Sequence, residues 1–309
     1  MTEFAQESET GEVRLSLLTR LKYMVIRGFL LGIVKMAGLE GLYRFGWWFG
    51  FCECWLQYKR RHRIYRRMDE IFEVPISRAE KQAIARDFFC RVRCDKMMYT
   101  IMDRIDRRTL LARVESEDRE YLDQAVQRGR GTFLMFSHLG SHHLGGILLI
   151  LCGYPVTGLR DPNESSLRTY VQGQFEKSFP EFRDLEILPS DAFARQYFQA
   201  FQANRIVAAA MDVWRDRGNV RTVPVQVFGQ QRQYLSGMTQ IALRCKAVII
   251  VGFLLSLPDY RYRMILHPWL TDPDQADDRP ETVQRVMQDY AALIERHARA
   301  YPSHISKTK

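Results

Sequence analysis

Short apolar runs alternate with helical patterns along the chain after about residue 130. Seven apolar segments predict strands, at 132–137, 155–160, 185–188, 206–211, 223–228, 247–255 and 261–267. Helical patterns lie between and after these segments, at 141–152, 164–178, 191–203, 236–245 and 280–300. The alternation predicts an α/β fold in which helices cover a mixed, mainly parallel sheet.

The chain before residue 130 is predicted to be mainly helical. Segments 15–50 and 54–72 carry helical patterns, and a further helix is predicted at 116–128. Ser77 and Glu80 have the spacing of a capping box, in which a serine precedes a glutamate by three residues. This pair predicts the start of a helix that runs to about residue 102.

These patterns divide the chain into three regions. We expect a disordered polar tail over 1–12, since these residues are acidic and contain few apolar side chains. A helical arm over 13–105 should pack on the core, and 106–309 should form one α/β unit. The sequence has no internal repeat, low-complexity tract or long linker that would separate further domains.

Charge is concentrated in the helical arm. The protein has a net charge of +9, while residues 14–67 hold twelve Lys and Arg against two acids and therefore carry +10. Such a segment indicates an anionic partner: phospholipid headgroups, an acidic carrier protein or nucleic acid.

The six cysteines show no paired framework, which indicates reduced thiols. Their spacings do not match a zinc knuckle, so no metal site is predicted.

The apolar residues of the arm favour a membrane surface among these partners. Its longest clean apolar run is Gly28–Val34, far short of the roughly 20 residues that a membrane span needs. The residues also do not follow the order of a signal peptide. Basic residues beside Trp47 and Trp48 indicate helices that lie in the membrane interface, with a helical hairpin packed on the core as the alternative. No nucleic-acid-binding motif is present, so nucleic acid is not an expected partner.

Three of the seven histidines cluster where the first strand of the α/β region ends. His138 follows the apolar run 133–136, and His142 and His143 come just before an apolar helical segment. The carboxyl end of a strand is where α/β enzymes present catalytic side chains. Histidine can accept a proton from a hydroxyl near neutral pH. The pattern indicates a catalytic base, the alternative being a polar loop.

Further blocks follow in a fixed order: Gly158–Asn163, Ala210–Asp212, Val225–Gly229, Ser236–Leu243 and Ala247–Val251. Together with Ser137–His143, they resemble the lysophospholipid acyltransferase-like superfamily, most closely the lipid A biosynthesis lauroyl/myristoyl acyltransferase family. The resemblance extends over nearly the whole chain, to about Tyr301. It implies a membrane-associated enzyme that moves a fatty acyl chain to a free hydroxyl of a lipid acceptor. The donor would be acyl carrier protein or acyl coenzyme A, with no cofactor or metal.

The resemblance also implies a location and partners. The enzyme would be peripheral or monotopic at the cytoplasmic face of the bacterial inner membrane, where lipopolysaccharide precursors are acylated. Its partners would be an anionic membrane surface, the lipid acceptor and, for the donor, acyl carrier protein. A basic arm suits both a membrane and an acidic carrier.

Residue roles follow from the same resemblance. His138 would remove the proton of the acceptor hydroxyl while that oxygen attacks the thioester, and backbone N–H groups near Gly140 and after Phe228 would stabilise the oxyanion. Asp212 would orient a substrate or an arginine, or else serve as a helix cap or salt-bridge partner. The remaining positions would bind substrate or form turns: Arg160, Asn163, Lys177, Phe228, Gly229, Ser236 and Gly237.

The sequence departs from the family pattern where the motif carries Asp or Glu five residues after the histidine, because His143 stands there. In an analogous catalytic triad, replacing the carboxylate by a neutral group costs about 10⁴ in rate. A second departure is that Lys177 is the nearby cation where the family usually has an arginine about fifteen residues after Arg160.

Three interpretations remain open. First, a carboxylate from elsewhere in the chain replaces the missing acid, the candidates being Asp161, Glu164 and Asp212. Second, His143 itself is a working partner in a divergent branch. Third, the protein is a catalytically degenerate acyltransferase fold that binds lipid or a carrier or partner protein. The first two are favoured by the retained residues of the pattern, which are His138, Arg160, Asp212 and the pair Phe228-Gly229.

Overall fold

The computed structural model describes residues 15–160, 164–190, 192–212 and 220–306. Within them the α-helices are α1 Leu17–Leu56, α2 Tyr58–Ile71, α3 Arg78–Ile101, α4 Arg107–Leu111, α5 Arg119–Gln127, α6 His142–Leu151, α7 Ser166–Ser178, α8 Ala194–Gln202, α9 Gly237–Arg244 and α10 Pro280–Ala300. The strands are β1 Val114–Glu117, β2 Thr132–Phe136, β3 Val156–Arg160, β4 Glu186–Pro189, β5 Ile206–Ala210, β6 Thr222–Val227, β7 Gln230–Leu235, β8 Val248–Leu257 and β9 Arg261–Leu266.

Seven of these strands form one sheet, in the order β1-β9-β8-β2-β5-β3-β4. Every neighbouring pair is parallel except β8 and β9, which are antiparallel. The predicted fold, a mixed and mainly parallel sheet covered by helices, is confirmed. Helical crossovers between parallel strands explain why helices lie on both faces.

An apolar cluster packs on each face of the sheet, and strand β2 contributes side chains to both clusters. Phe133 and Met135 pack in the cluster that contains Met287 of α10. Leu134 and Phe136 point the opposite way, into the cluster that contains α6. All five residues of β2 are buried. A strand buried on both faces is a continuous apolar run, which is the pattern that predicted it.

Two strands differ from the sequence-based prediction. β1 was assigned to a helix beginning at 116, but Val114–Glu117 pairs with β9 at the edge of the sheet. Segment 223–228 is indeed a strand, yet it pairs only with β7, in a separate two-stranded antiparallel sheet. Strand β7 itself is not among the predicted strands. Apolar periodicity reveals neither β1 nor β7, because both are short, half-exposed and mostly polar.

The N-terminal arm consists of α1 and α2 packed on α3. The predicted break between the first two helices lies later than expected, at Gln57, while Gly38 kinks α1 with a φ of 67°. Gly50 of α1 lies so close to α3 that a Cβ there would be 2.5 Å from Cys90 Cα. The capping box that begins α3 is confirmed, with both reciprocal hydrogen bonds between Ser77 and Glu80 present.

The arm leaves many apolar side chains in solvent. On α1, Leu18, Leu21, Val25 and Phe29 are each more than half exposed and follow one another at helical spacing. In the part of the chain that the structure describes, no helix is both long and apolar enough to cross a membrane. The predicted tail 1–12 lies outside the described residues.

Candidate functional site

Three parallel strands bring the candidate residues to one edge of the sheet. In the register of the sheet, Phe136 at the end of β2 pairs with Ala210 at the end of β5. His138 and Asp212 each lie two residues beyond these partners and therefore extend from the same level. β3 is the other neighbour of β5 and ends at Arg160. The sheet thus gathers, at its carboxyl edge, residues far apart in sequence.

His138 and Asp212 are joined by two hydrogen bonds. The Asp212 Oδ1 lies 2.9 Å from His138 Nδ1, and its Oδ2 accepts the backbone N–H of His138 at 2.7 Å. The Asp212 side chain is 7% exposed and that of His138 is 17% exposed. A carboxylate at Nδ1 favours the tautomer with its proton there, which leaves the Nε2 lone pair to act as a base. Of the three interpretations, this geometry favours a carboxylate from elsewhere in the chain.

Tyr290 of α10 hydrogen-bonds to the backbone just before each member of this pair. Its hydroxyl donates to the Phe136 carbonyl oxygen at 2.5 Å and accepts the Met211 N–H at 3.3 Å. Burial raises the pKa of Tyr290 well above its usual value, and the nearby Asp212 carboxylate acts in the same direction. The phenol therefore keeps its proton, and one side chain ties together the ends of the strands that carry His138 and Asp212.

His142 lies between the other two histidines. Its ring centroid is 5.0 Å from that of His138 and 3.8 Å from that of His143. Burial lowers the pKa of His142 well below its usual value, and the neighbouring histidines lower it further. Its Nδ1 has no hydrogen-bond partner among the described residues. A neutral imidazole at this position lines the space beside the His138 ring without adding charge.

The side chain of His143 pairs with an arginine. The Arg168 guanidinium lies 2.5 Å from His143 Nε2. Since a guanidinium can only donate, His143 Nε2 is the acceptor in this contact. The residue in the position of the motif acid is therefore engaged by a cation, while the partner of His138 Nδ1 is Asp212.

Arg160 and Arg168 form a small cationic cluster around one carboxylate. Glu164 accepts from Arg168 at 2.7 Å and lies 3.7 Å from the Arg160 Nε. Arg160 also donates to Gln172 at 2.7 Å. Among the described residues, two guanidinium groups face one carboxylate here, beside the histidine loop. Bidentate guanidinium groups are suited to binding phosphate or carboxylate.

The predicted positions around 228 and 236 are structural elements of the hairpin and of α9. Phe228 and Gly229 both have positive φ, 52° and 68°, and form the two-residue turn between β6 and β7. The Phe228 N–H donates to Glu295 at 3.2 Å. Ser236 is buried and precedes α9, whose first residue is Gly237. The contacts of these residues are those of a turn and a helix start.

Among the backbone N–H groups near Gly140 that were predicted to stabilise an oxyanion, those of Gly140 and Ser141 are hydrogen-bonded within the protein. The Gly140 N–H donates to the His304 carbonyl oxygen at 2.8 Å, and the next N–H along the chain, that of Ser141, donates to Leu254 at 2.8 Å. Both groups hold the loop in place and are not directed at substrate. The physical reason is that residues 139 and 140 form bridges to neighbouring segments on both sides.

Lys177, a predicted substrate residue, lies at the far end of α7 from the cationic cluster. Lys177 lies in the last turn of α7, nine residues and about 14 Å along the helix axis from Arg168. Asn163 and the candidate acid Asp161 lie outside the described residues. His142 belongs to the histidine cluster that the sequence indicates, although no separate role is predicted for it. Sequence reasoning missed Arg168 and Tyr290, since arginines on exposed helix faces and buried tyrosines are common.

The chain resembles the crystal structure of the 1-acyl-sn-glycerophosphate (LPA) acyltransferase PlsC from Thermotoga maritima, with a TM-score of 0.38 and 11% identity. The match covers 91% of this chain and 98% of that chain. The search among curated proteins gave no match.

Among the described residues, no group of three or more His, Cys, Asp or Glu side chains could hold a metal ion.

The family comparison covers most of the sequence. The model of the bacterial lipid A biosynthesis acyltransferase family matches residues 19–302. This range includes all but the first two residues of α1, the described strands β1 to β9 and the pair His138–Asp212. The protein therefore belongs to the bacterial lipid A biosynthesis acyltransferase family.

Proposed function

We propose that the protein is an O-acyltransferase that moves a fatty acyl chain from a thioester donor to a hydroxyl of a lipid acceptor, with His138 as the general base. The observation that carries this proposal is the hydrogen-bonded pair of His138 and Asp212. It supplies the carboxylate that the sequence motif lacks. A family member without catalysis would not need a buried acid oriented on the ring of the histidine.

In this mechanism the acceptor hydroxyl binds next to His138 Nε2. The imidazole removes the hydroxyl proton while the oxygen attacks the thioester carbonyl, and Asp212 stabilises the imidazolium that forms. Collapse of the tetrahedral intermediate breaks the C–S bond, and the imidazolium returns the proton to the departing thiolate. No acyl group is attached to the enzyme. The N-terminus of α6, four residues after His138, places positive potential near the negative charge that develops.

The cationic cluster of Arg160 and Arg168 supports an acidic acceptor headgroup. Both guanidinium groups lie beside Glu164, which holds them in place in the absence of a ligand. A phosphate or carboxylate of the acceptor would take up the remaining hydrogen-bond donors of these arginines. His143 is proposed to orient Arg168 through the 2.5 Å contact, a role in binding rather than in proton transfer.

The exposed face of α1 supports attachment to a membrane surface. The helix has a buried face and an exposed face. Tyr23, Arg27 and Leu30 are buried against the protein, while Leu21 and Phe29 are exposed to solvent. Soluble monomers rarely expose a contiguous apolar stripe of this length. Exposed cations on the same helix, Arg20, Lys22 and Lys35, suit anionic headgroups.

The proposed location is the cytoplasmic face of the bacterial inner membrane, with the arm lying in the interface. The excess positive charge of the arm would also attract an acidic acyl carrier protein as donor. Acyl coenzyme A is the second candidate donor, because it too is a polyanionic thioester.

Transfer of a labelled acyl chain tests the proposal. The full-length protein in detergent would be mixed with total lipid extract and either acyl carrier protein or coenzyme A carrying a radiolabelled acyl group. We expect the label to appear in a lipid with an alkali-sensitive ester, and mass spectrometry of that lipid identifies the acceptor. Absence of transfer from both donors, in a protein that still sediments with vesicles, would instead support the non-catalytic alternative.

Vesicle binding tests the membrane part separately. Phe29→Asp places a charge in the apolar stripe, and Phe193→Asp makes the same change at an exposed phenylalanine outside the arm. We expect the first variant to lose sedimentation with phosphatidylglycerol vesicles and the second to keep it. Equal binding by both variants would refute the assignment of α1 as the membrane surface.

A further inference from the structure

The loop that carries His138 is bound on one side by the C-terminal segment 303–306. The N–H and the hydroxyl of Ser306 both donate to the His138 carbonyl oxygen, at 2.9 and 2.7 Å. Gly140 donates its N–H to the His304 carbonyl oxygen at 2.8 Å. Leu139 and Ile305 form an antiparallel bridge. The backbone of His138 is thus hydrogen-bonded to residues more than 160 positions away in sequence.

On the other side, the same loop is bound by the end of β8. Gly140 forms a parallel bridge with Leu254, and the Ser141 N–H donates to the Leu254 carbonyl oxygen at 2.8 Å. Gly140 has a φ of 73°, and a Cβ there would lie 2.0 Å from the Leu254 oxygen. The loop is therefore a short middle strand, and only glycine fits where it comes closest to β8.

A carboxylate of α3 joins these two sides. Asp95 accepts the hydroxyls of Ser141, in the loop, and of Ser256, in β8, the latter at 2.9 Å. Arg91 lies 3.3 Å from Asp95 and donates to the Ser303 carbonyl oxygen at 2.7 Å. The loop, β8 and the C-terminal segment are all tied to one ion pair, whose side chains are 8% and 16% exposed.

This pair lies outside the proposed reaction. Among the described contacts, neither Asp95 nor Arg91 touches His138, Asp212 or the cationic cluster around Glu164. A buried ion pair is costly to desolvate and is by itself weak support for stability. Its hydrogen bonds go to the loop and to the two segments that hold that loop. This distribution is the one expected of a group that fixes the geometry of the catalytic residue.

We propose that Asp95 and Arg91 form a positioning pair, which orders loop 138–141 through Ser141 and the C-terminal segment and so holds the His138 ring against Asp212. The inference rests on the proposed function, since it is His138 whose position the pair controls. It also assigns a role to the C-terminal segment 303–306, as a strand that completes the site.

The test removes single hydroxyl groups, because Asp95→Asn would leave Arg91 as a buried cation and could fail to fold. Ser141→Ala deletes the contact between the loop and Asp95. Ser306→Ala deletes one of the two bonds to the His138 carbonyl. Ser303→Ala is the matched control, as its hydroxyl makes no hydrogen bond among the described residues.

Two readouts are compared in the full-length protein. We expect Ser141→Ala to speed amide hydrogen exchange in peptides covering 138–141 at least tenfold. Its kcat for acyl transfer should fall about tenfold with KM for the donor unchanged, and Ser306→Ala should change both quantities in the same direction. The control should match wild type. A merely structural contact would lower the Tm while leaving local exchange and kcat at their wild-type values, and that result would overturn the inference.

The exchange readout needs no enzymatic turnover. If the wild-type protein transfers no acyl chain, the proposed function fails, while faster exchange in Ser141→Ala still demonstrates that the pair orders the loop. If Ser141→Ala exchanges like the control in an active enzyme, the positioning role fails and the proposed function stands.

Discussion

Asp212→Asn is the substitution whose effect follows most closely from the geometry. The amide has nearly the shape of the carboxylate, and its oxygen can still accept the His138 N–H, now made at 2.7 Å. Its NH₂ group then faces His138 Nδ1 and donates to it, which moves the ring proton to Nε2. The base is blocked and the imidazolium loses its counter-charge. In an analogous triad this change costs about 10⁴ in kcat, or about 5.4 kcal/mol of barrier.

Initial rates of acyl transfer at saturating donor and acceptor give the comparison. Asp106→Asn is the matched control, because it removes the same charge at an exposed helix cap where asparagine serves as well. We expect wild-type rates from the control and a similar Tm from all three proteins. A loss of less than tenfold in a folded Asp212→Asn protein would refute the assignment of Asp212 as the partner of His138.

The remaining predictions concern His143, the arm and pH. His143→Ala should lower kcat less than tenfold and mainly raise KM for the acceptor, since Arg168 of the cationic cluster contacts its ring; steady-state kinetics check this, and a 10²-fold loss of kcat would restore it as the catalytic partner. Gly50→Ala should destabilise the protein by about 1–3 kcal/mol through overpacking, while Gly32→Ala, with open space around it, should not; thermal unfolding compares them. Burial lowers the pKa of His297 to about 4 and that of His304 to about 3. Between pH 6.5 and those values the unfolded chain binds more protons than the folded chain, so stability falls as pH falls. From pH 6.5 to 5 the loss should reach up to about 2 kcal/mol for each histidine, and denaturant titrations at the two pH values should show it; equal stability would contradict it.

Apolar periodicity predicted the centre of the sheet well because β2 and β8 are buried on both faces. Strand β2 was visible as a continuous apolar run, and α10 was predicted with the bounds that the structure has. The same signal failed for β1 and β7, whose residues are half exposed and mostly polar. Their pairing depends on backbone hydrogen bonds to a neighbouring strand. Such bonds produce no periodic pattern of apolar residues in the sequence.

The candidate site could be predicted only in part, because sequence order does not give strand order. His138 and Asp212 were both identified, but their pairing across 74 positions depends on β2 and β5 being neighbours. Arg168 was overlooked, since an arginine four residues after Glu164 on a helix is usually part of a surface ion pair. Asp95 was overlooked for a similar reason: its partners come from three distant segments.

The rate of acyl transfer by His138→Ala tests the central claim most directly. The variant and wild type would be assayed with the same labelled thioester and the acceptor identified from lipid extract, after circular dichroism has shown equal helical content. General-base catalysis contributes about 10² to 10⁴ in rate, so the account predicts a loss of that size with binding of the donor retained. A His138→Ala protein that transfers the acyl chain within a few-fold of wild type would contradict the account.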